Sequence, residues 1–202
     1  TTDLVPETAS ERTLDYRDTA GHRTALTLTE DARTLFREGL AAEGEQKLPF
    51  TELLVPDTQT DRQAAGIIQG CWQNTLGASI NVMPLSVDEL WQRVYAGDYD
   101  MALLPLSDST AMGLLEDFAS DTDRYCTGWQ SEEYDALLDQ AAAETGEQAV
   151  RTLAQAEQLL LRSGVVMPLY TSMSYYAVSS EVRGAWIDPG EGVIYIKYIT
   201  KS

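Results

Sequence analysis

Histidine is almost missing from the chain: His22 is the only one, and cysteine is limited to Cys71 and Cys126. One imidazole and two distant thiols supply no ligand pair at the spacing of a zinc site, so no metal and no cofactor is expected. They also leave little for hydrolysis. A dyad of His22 with Cys126 or a serine is allowed by spacing, yet His22 stands in an irregular, polar stretch where a histidine is ordinarily solvated. The sequence lacks both G-x-x-x-x-G-K-[ST] and G-x-G-x-x-G, so the usual phosphate cradles are missing. Asp57/Asp61, Asp98/Asp100 and Asp121/Asp123 lack the glycine and closing glutamate of a calcium loop and read as surface solvation.

Positive charge is equally scarce, with 14 Lys+Arg against 32 Asp+Glu and a net charge of −18. Nucleic acid and anionic membrane surfaces are therefore poor partners, because binding them depends on basic side chains displacing counterions. An acidic surface serves solubility first and attraction of cationic solutes second. No apolar run approaches the ~18 residues of a membrane span. Thr1-Thr-Asp-Leu-Val-Pro has neither the basic nor the apolar region of a signal peptide, although a mature or trimmed exported chain starts in the same way. Two cysteines do not reveal the compartment. Cys71 is expected on the apolar face of a helix as a small buried hydrophobe, and spacing leaves a Cys71–Cys126 bridge open.

What is present is a regular alternation of elements. Ala32, Leu35, Phe36, Gly39 and Leu40 mark one helix face after Thr29. Phe50-Thr-Glu-Leu-Leu-Val reads as a strand ended by Pro56, and Thr60 with Gln63 as the capping box of a helix carrying Ala64, Ile67, Ile68 and Cys71. Ala78-Ser-Ile-Asn-Val-Met is the next strand. Ser86 with Glu89 caps a further helix with Val87, Leu90, Trp91 and Val94 on its apolar side. Residues 50–104 are thus β-α-β-α-β with short links, the pattern of a parallel sheet with right-handed crossovers. Beyond them come a short helix at 111–119, a helix capped by Ser131, then a helix opened by a Thr145/Gln148 box and ending near Gly164. Val165–Tyr170, Ser174–Ser179 and Val193–Ile199 read as strands, with Ala25–Leu28 a weaker one.

Within this pattern, the run from Asp98 to Asp108 concentrates the functional signal. Tyr99, Met101, Ala102, Leu103 and Leu104 form a nearly unbroken apolar run, expected as a central strand of the parallel sheet. Pro105 breaks it, and Ser107, Asp108, Ser109 and Thr110 follow as a polar loop. The carboxyl end of a parallel strand is where open α/β sheets receive ligands. Trp129, in a polar loop, is the tryptophan best placed for a binding surface, whereas Trp91 reads as core.

Several stretches together resemble one known family. Val87-Asp-Glu-Leu-Trp-Gln-Arg-Val-Tyr-Ala-Gly-Asp-Tyr-Asp-Met-Ala is similar to the helix, turn and strand of the C-terminal lobe of oligopeptide/dipeptide/nickel-binding receptors of ABC importers. Thr127-Gly-Trp-Gln-Ser-Glu-Glu-Tyr-Asp-Ala-Leu-Leu-Asp139 and Ala154-Gln-Ala-Glu-Gln-Leu-Leu with Val166-Met-Pro-Leu-Tyr170 resemble the segments that follow there. Thr1–Pro6 is similar to the chain entering that lobe from the hinge. The resemblance covers roughly Thr60 to Ser202, more weakly the residues before.

The resemblance implies an α/β, type II periplasmic-binding-protein-like lobe with a mostly parallel sheet flanked by helices. Residues 1–28 would be the hinge-proximal entry, 29–190 the C-terminal solute-binding lobe, and 191–202 a closing strand belonging with a missing N-terminal lobe. It implies no catalysis but capture of a short peptide or similar solute between the two lobes, delivered to ABC permease subunits. The location would be extracytoplasmic, periplasmic or anchored at the cell surface through the missing N-terminus. Ligand contact would fall to Ser107, Asp108, Ser109, Tyr125, Trp129 and Tyr170, with Asp108 receiving a terminal amine. The loop departs from the family's Gly-Trp-x-x-Asp: Pro105-Leu-Ser-Asp108 is one residue shorter and has no tryptophan. That departure motivates a second reading, a receptor-like sensing or protein-interaction domain without transport.

Overall fold

The structure is a computed structural model. It describes residues 3–6, 9–11, 14–21, 31–171, 177–187, 194–195 and 197–201. In chain order its elements are β1 (Ser10–Glu11), β2 (Leu14–Asp15), α1 (Tyr16–Ala20), α2 (Ala32–Ala42), β3 (Glu52–Pro56), α3 (Gln59–Leu76), β4 (Asn81–Leu85), α4 (Val87–Tyr95), β5 (Met101–Ala102), α5 (Ala111–Glu116), α6 (Glu132–Ala143), α7 (Glu147–Ser163), β6 (Val182–Arg183), β7 (Trp186–Ile187), β8 (Ile194–Tyr195) and β9 (Thr200–Lys201). These form two compact units. One comprises Thr1–Leu26, Ser107–Thr122 and Trp129–Ser202, the other Thr27–Leu106 and Asp123–Gly128. His22 and the Ala25–Leu28 run lie outside the described residues.

The second unit holds the expected β-α-β-α-β arrangement, with β4 and β5 both parallel to β3. Its strand order, β4-β3-β5, makes β3 the centre. Among the described residues, the Met101–Leu104 run, expected to be central, instead supplies an edge of this ladder and is only partly buried. Leu53, Leu54, Val55 and Pro56 of β3 are buried. An apolar run shows that a strand has little solvent on either face, but strand order depends on where each crossover lands. Leu53 and Val55 join Ala65 and Ile80 in one cluster, with Ile68 and Trp72 packed against it. Alternation turns Leu54 to the opposite face, where α4 packs with Leu90 and Val94 buried.

Two local expectations shift here. The cap of α3 is Thr58, which accepts from the Asp61 N–H, so the helix starts before the Thr60/Gln63 pair. Its inward side carries Ala65 rather than Ile67 and Cys71, and both cysteines are free and exposed. The Ser86/Glu89 capping box forms as read from the sequence.

The first unit packs α6 on α7, with α1 and α5 also against α7. Nine residues of α7 are buried, eight of them apolar or threonine and the ninth Glu157. Its start is Gly146 at φ 64, not the expected Thr145 box. The Val165–Tyr170 strand does not form; the segment is irregular, as are residues 177–179, while 174–176 lie outside the description. Pro168 lacks the N–H that a ladder needs, which accounts for the first loss. Of the Val193–Ile199 run, Ile194–Tyr195 pairs antiparallel with Trp186–Ile187. Thr200–Lys201 pairs with Val182–Arg183.

Candidate functional site

The polar loop of residues 107–110 opens α5. Thr110 is the helix cap: its hydroxyl accepts the Gly113 N–H at 3.0 Å, leaving its own N–H to be satisfied from upstream. Asp108 supplies that acceptor. Its Oδ1 takes the Thr110 N–H at 2.8 Å and the Thr110 hydroxyl at 3.1 Å. Ser107, Asp108 and Ser109 are exposed, and among the described residues no hydrogen bond or ion pair engages Asp108 Oδ2. The carboxylate lies over the first turn of α5. A Cβ added to Gly113 would come within 2.8 Å of its Cγ, so only glycine leaves the room it occupies.

The same turn is held from the entry segment. The Ser10 N–H donates to the Ser109 carbonyl at 3.0 Å, with an isolated parallel bridge between Ser10 and Thr110. Glu11 Oε2 accepts the Met112 N–H at 3.3 Å. Sequence reasoning missed Ser10, Glu11 and Gly113. Thr110 had a readable signal as a cap preceding an apolar run, whereas nothing local links Glu11 to a helix 101 residues away.

The remaining sequence-predicted residues are spread more widely. Trp129 is half-buried, its ring edge-on to Tyr134 at 5.0 Å. Tyr134 is buried and donates to the Leu115 carbonyl at 2.8 Å. Burial first, then the nearby Asp135, Glu157 and Asp117 carboxylates, drive its phenol far above the usual range. Tyr170 follows α7 in the irregular stretch and is 46% exposed. Tyr125 belongs to the other unit and is only 6% exposed.

Tyr125 sits in a loop of the second unit that is closed by Asp123. Asp123 Oδ1 accepts the Thr127 N–H at 2.8 Å and its hydroxyl at 2.9 Å, while Oδ2 accepts the Gly128 N–H at 2.9 Å. Burial works to raise the Asp123 pKa, but these hydrogen bonds outweigh it and hold the carboxyl below its ordinary value. Asp123 and Cys126 have φ of 29° and 52°, in the left-handed region. Tyr99 donates to the Tyr125 carbonyl at 2.6 Å, and the Tyr125 ring lies 6.3 Å from Trp91. Tyr99 is itself raised in pKa, by burial and then by Asp123 and Cys126.

Among the described residues, no group of three or more His, Cys, Asp or Glu side chains is arranged to hold a metal. No described helix is long and apolar enough to cross a membrane. An apolar groove of about 660 Å³ lies in the second unit, lined by Leu35, Phe36, Leu40, Leu48 and Pro49 among others. None of the candidate residues lines it.

The chain superposes on a peptide-bound OppA from Listeria monocytogenes with a TM-score of 0.78 at 19% identity, covering 100% of this chain and 40% of that one. The fold is that of a lobe of a type II solute-binding protein. The substrate-binding domain of an oligopeptide ABC transporter from Bacillus anthracis agrees, with a TM-score of 0.76, 20% identity, and coverage of 96% of this chain and 38% of that chain. In sequence, this chain is 27% identical over 179 residues to the dipeptide-binding protein DppE of Bacillus subtilis. The match spans 85% of this chain and 32% of DppE, so the chain covers about a third of that relative's length. No protein-family model matches the sequence.

Proposed function

We propose that this chain is the C-terminal lobe of a solute receptor that captures short peptides and delivers them to an ABC importer without transforming them. The observation that carries the reading is the sequence likeness to a dipeptide-binding protein along 85% of the chain. In this reading a second, N-terminal lobe of the same protein completes the cleft, permease subunits receive the solute, and the work is done outside the cytoplasm.

The Asp108 turn suits one part of that task. Oδ1 is committed to Thr110, which fixes the carboxylate, while Oδ2 is left for a ligand donor. A peptide's terminal ammonium would form a charge-assisted hydrogen bond there, stronger than a bond between neutral groups. Backbone groups of the peptide pair with main chain, so specificity for side chains need not reside in this turn.

The test is a thermal-shift and calorimetric titration of the two-lobed protein with mixed short peptides. Stabilisation by at least one peptide class is expected, since a ligand that binds only the folded state raises the melting temperature. No stabilisation by any peptide would sink the reading. The 202-residue chain by itself should bind weakly, because it supplies one wall of the cleft.

A further inference from the structure

We infer that Glu11 is a positioning residue that keeps the Asp108 carboxylate available to a ligand ammonium by taking the Met112 N–H for itself. The inference rests on the peptide reading above and adds to it a residue that touches no solute.

The first turn of α5 presents backbone donors that need acceptors. Thr110 takes the Gly113 N–H, and Asp108 takes the Thr110 N–H and hydroxyl. The Met112 N–H is met by Glu11 Oε2, at 3.3 Å. Remove that carboxylate, and an unmet donor is left in the very turn over which Asp108 lies, 2.8 Å from the position a Gly113 Cβ would take. Asp108 is the acceptor already at hand. Drawn inward to Met112, it would spend the oxygen Oδ2, which no described group now engages.

Glu11 can play this part only if its own backbone is fixed, and it is. Glu11 pairs with Leu14 and Ser10 with Asp15 in the β1–β2 hairpin. Upstream, the Leu4 and Val5 N–H groups both donate to the buried Glu157 carboxylate, at 3.1 and 2.9 Å. Downstream, Arg17 donates to the Val5 carbonyl, closing the loop on itself. Ala9 is buried between these anchors. The entry segment therefore grips the ligand turn at two points, Ser109 through the Ser10 backbone and Met112 through the Glu11 side chain.

The experiment compares Glu11→Ala and Glu11→Gln in the full two-lobed protein, reading hydrogen exchange at Met112 and calorimetric affinity for trialanine against acetyl-trialanine. Glu11→Ala should speed Met112 exchange by about tenfold and cut the preference for the free amine by about fivefold. Glu11→Gln, whose amide oxygen still accepts from Met112, should restore both. Unchanged exchange in Glu11→Ala overturns the proposal, as does faster exchange with an unchanged amine preference. A Glu11→Gln variant as defective as Glu11→Ala also overturns it, because the charge and not the hydrogen bond would then matter. Where the mixed-peptide titration selects another ligand, that peptide and its acetylated form replace the trialanine pair; no stabilisation of the wild type by any peptide fails the peptide reading, whereas a Glu11→Ala protein that binds peptide with its amine preference intact fails this one.

Discussion

Arg17 and Glu157 stand 140 residues apart in the chain and form an ion pair with both side chains withdrawn from water, at 5% and 0% exposure. Glu157 does not rely on that partner alone. It also accepts from the Tyr16 hydroxyl at 3.1 Å and from the Leu4 and Val5 N–H groups. Arg17 spends its other donors on the Val5 and Gly21 carbonyls, and its guanidinium lies 3.6 Å from Asp3. A buried charge is tolerated only when so fully met, since desolvation of each ion costs several kcal/mol. The pair joins the entry segment to α7, the most buried helix of its unit.

Breaking this network should be costly in proportion to what is orphaned. Glu157→Ala takes the carboxylate partner from a buried guanidinium, from the Tyr16 hydroxyl and from two backbone donors, and should destabilise the fold by about 3–5 kcal/mol. Tyr16→Phe removes one donor and leaves the carboxylate its other partners, so about 1–2 kcal/mol is expected. Urea denaturation of the two variants checks the order and the ratio. Equal losses would mean that the ion pair contributes nothing beyond the hydroxyl bond.

Gly113→Ala should separate stability from binding. The new methyl must displace the Asp108 carboxylate, whose Cγ and oxygens lie 2.8 to 2.9 Å from the added Cβ. Within α5 itself, alanine is favoured over glycine by up to about 1 kcal/mol, which offsets the loss of the exposed Asp108 bonds to Thr110, so the melting temperature should change little. Peptide affinity should fall, towards the loss of about 1.5–3 kcal/mol expected for Asp108→Ala. Calorimetry on the two variants, beside their thermal melts, reads both quantities. A peptide affinity untouched by either substitution would move the amine site away from this turn.

Asp123 predicts a pH effect of defined sign. Its folded pKa is below the unfolded value, so its contribution is complete above the unfolded carboxylate pKa of about 3.9 and is lost as pH falls through the lower folded value. Asp123→Ala should therefore lower stability at neutral pH, with the gap from wild type closing in acid. Urea midpoints taken from neutrality down to about pH 2.5 follow that gap. A gap that stays constant into acid would show that the ionised carboxylate is not what clamps Thr127 and Gly128.

Some of this molecule is legible without coordinates, because local chemistry decides it. Apolar periodicity marked α2, α3, α4 and α7, and the β-α-β-α-β order of residues 50–104 followed from short links that leave only parallel pairing. Ser86 and Ser131 were readable as caps since a cap acts within three residues. Where two caps competed, the sequence misled: Thr58 and Gly146 start their helices although Thr60 and Thr145 have the better pattern.

The turn after β5 shows the boundary most clearly. That residues 107–110 form a polar loop behind an apolar strand, with Asp108 its one carboxylate, is a property of the chain alone. That β5 lies at the edge of the β3 ladder depends on tertiary packing. So does the commitment of Asp108 Oδ1 to Thr110 with Gly113 beneath it, and the hold of Glu11 on Met112. Periodicity and capping operate over a few residues, where chain connectivity itself brings the groups together. A carboxylate that meets an amide 101 positions away does so only because buried anchors such as Glu157 have already fixed the segments between them.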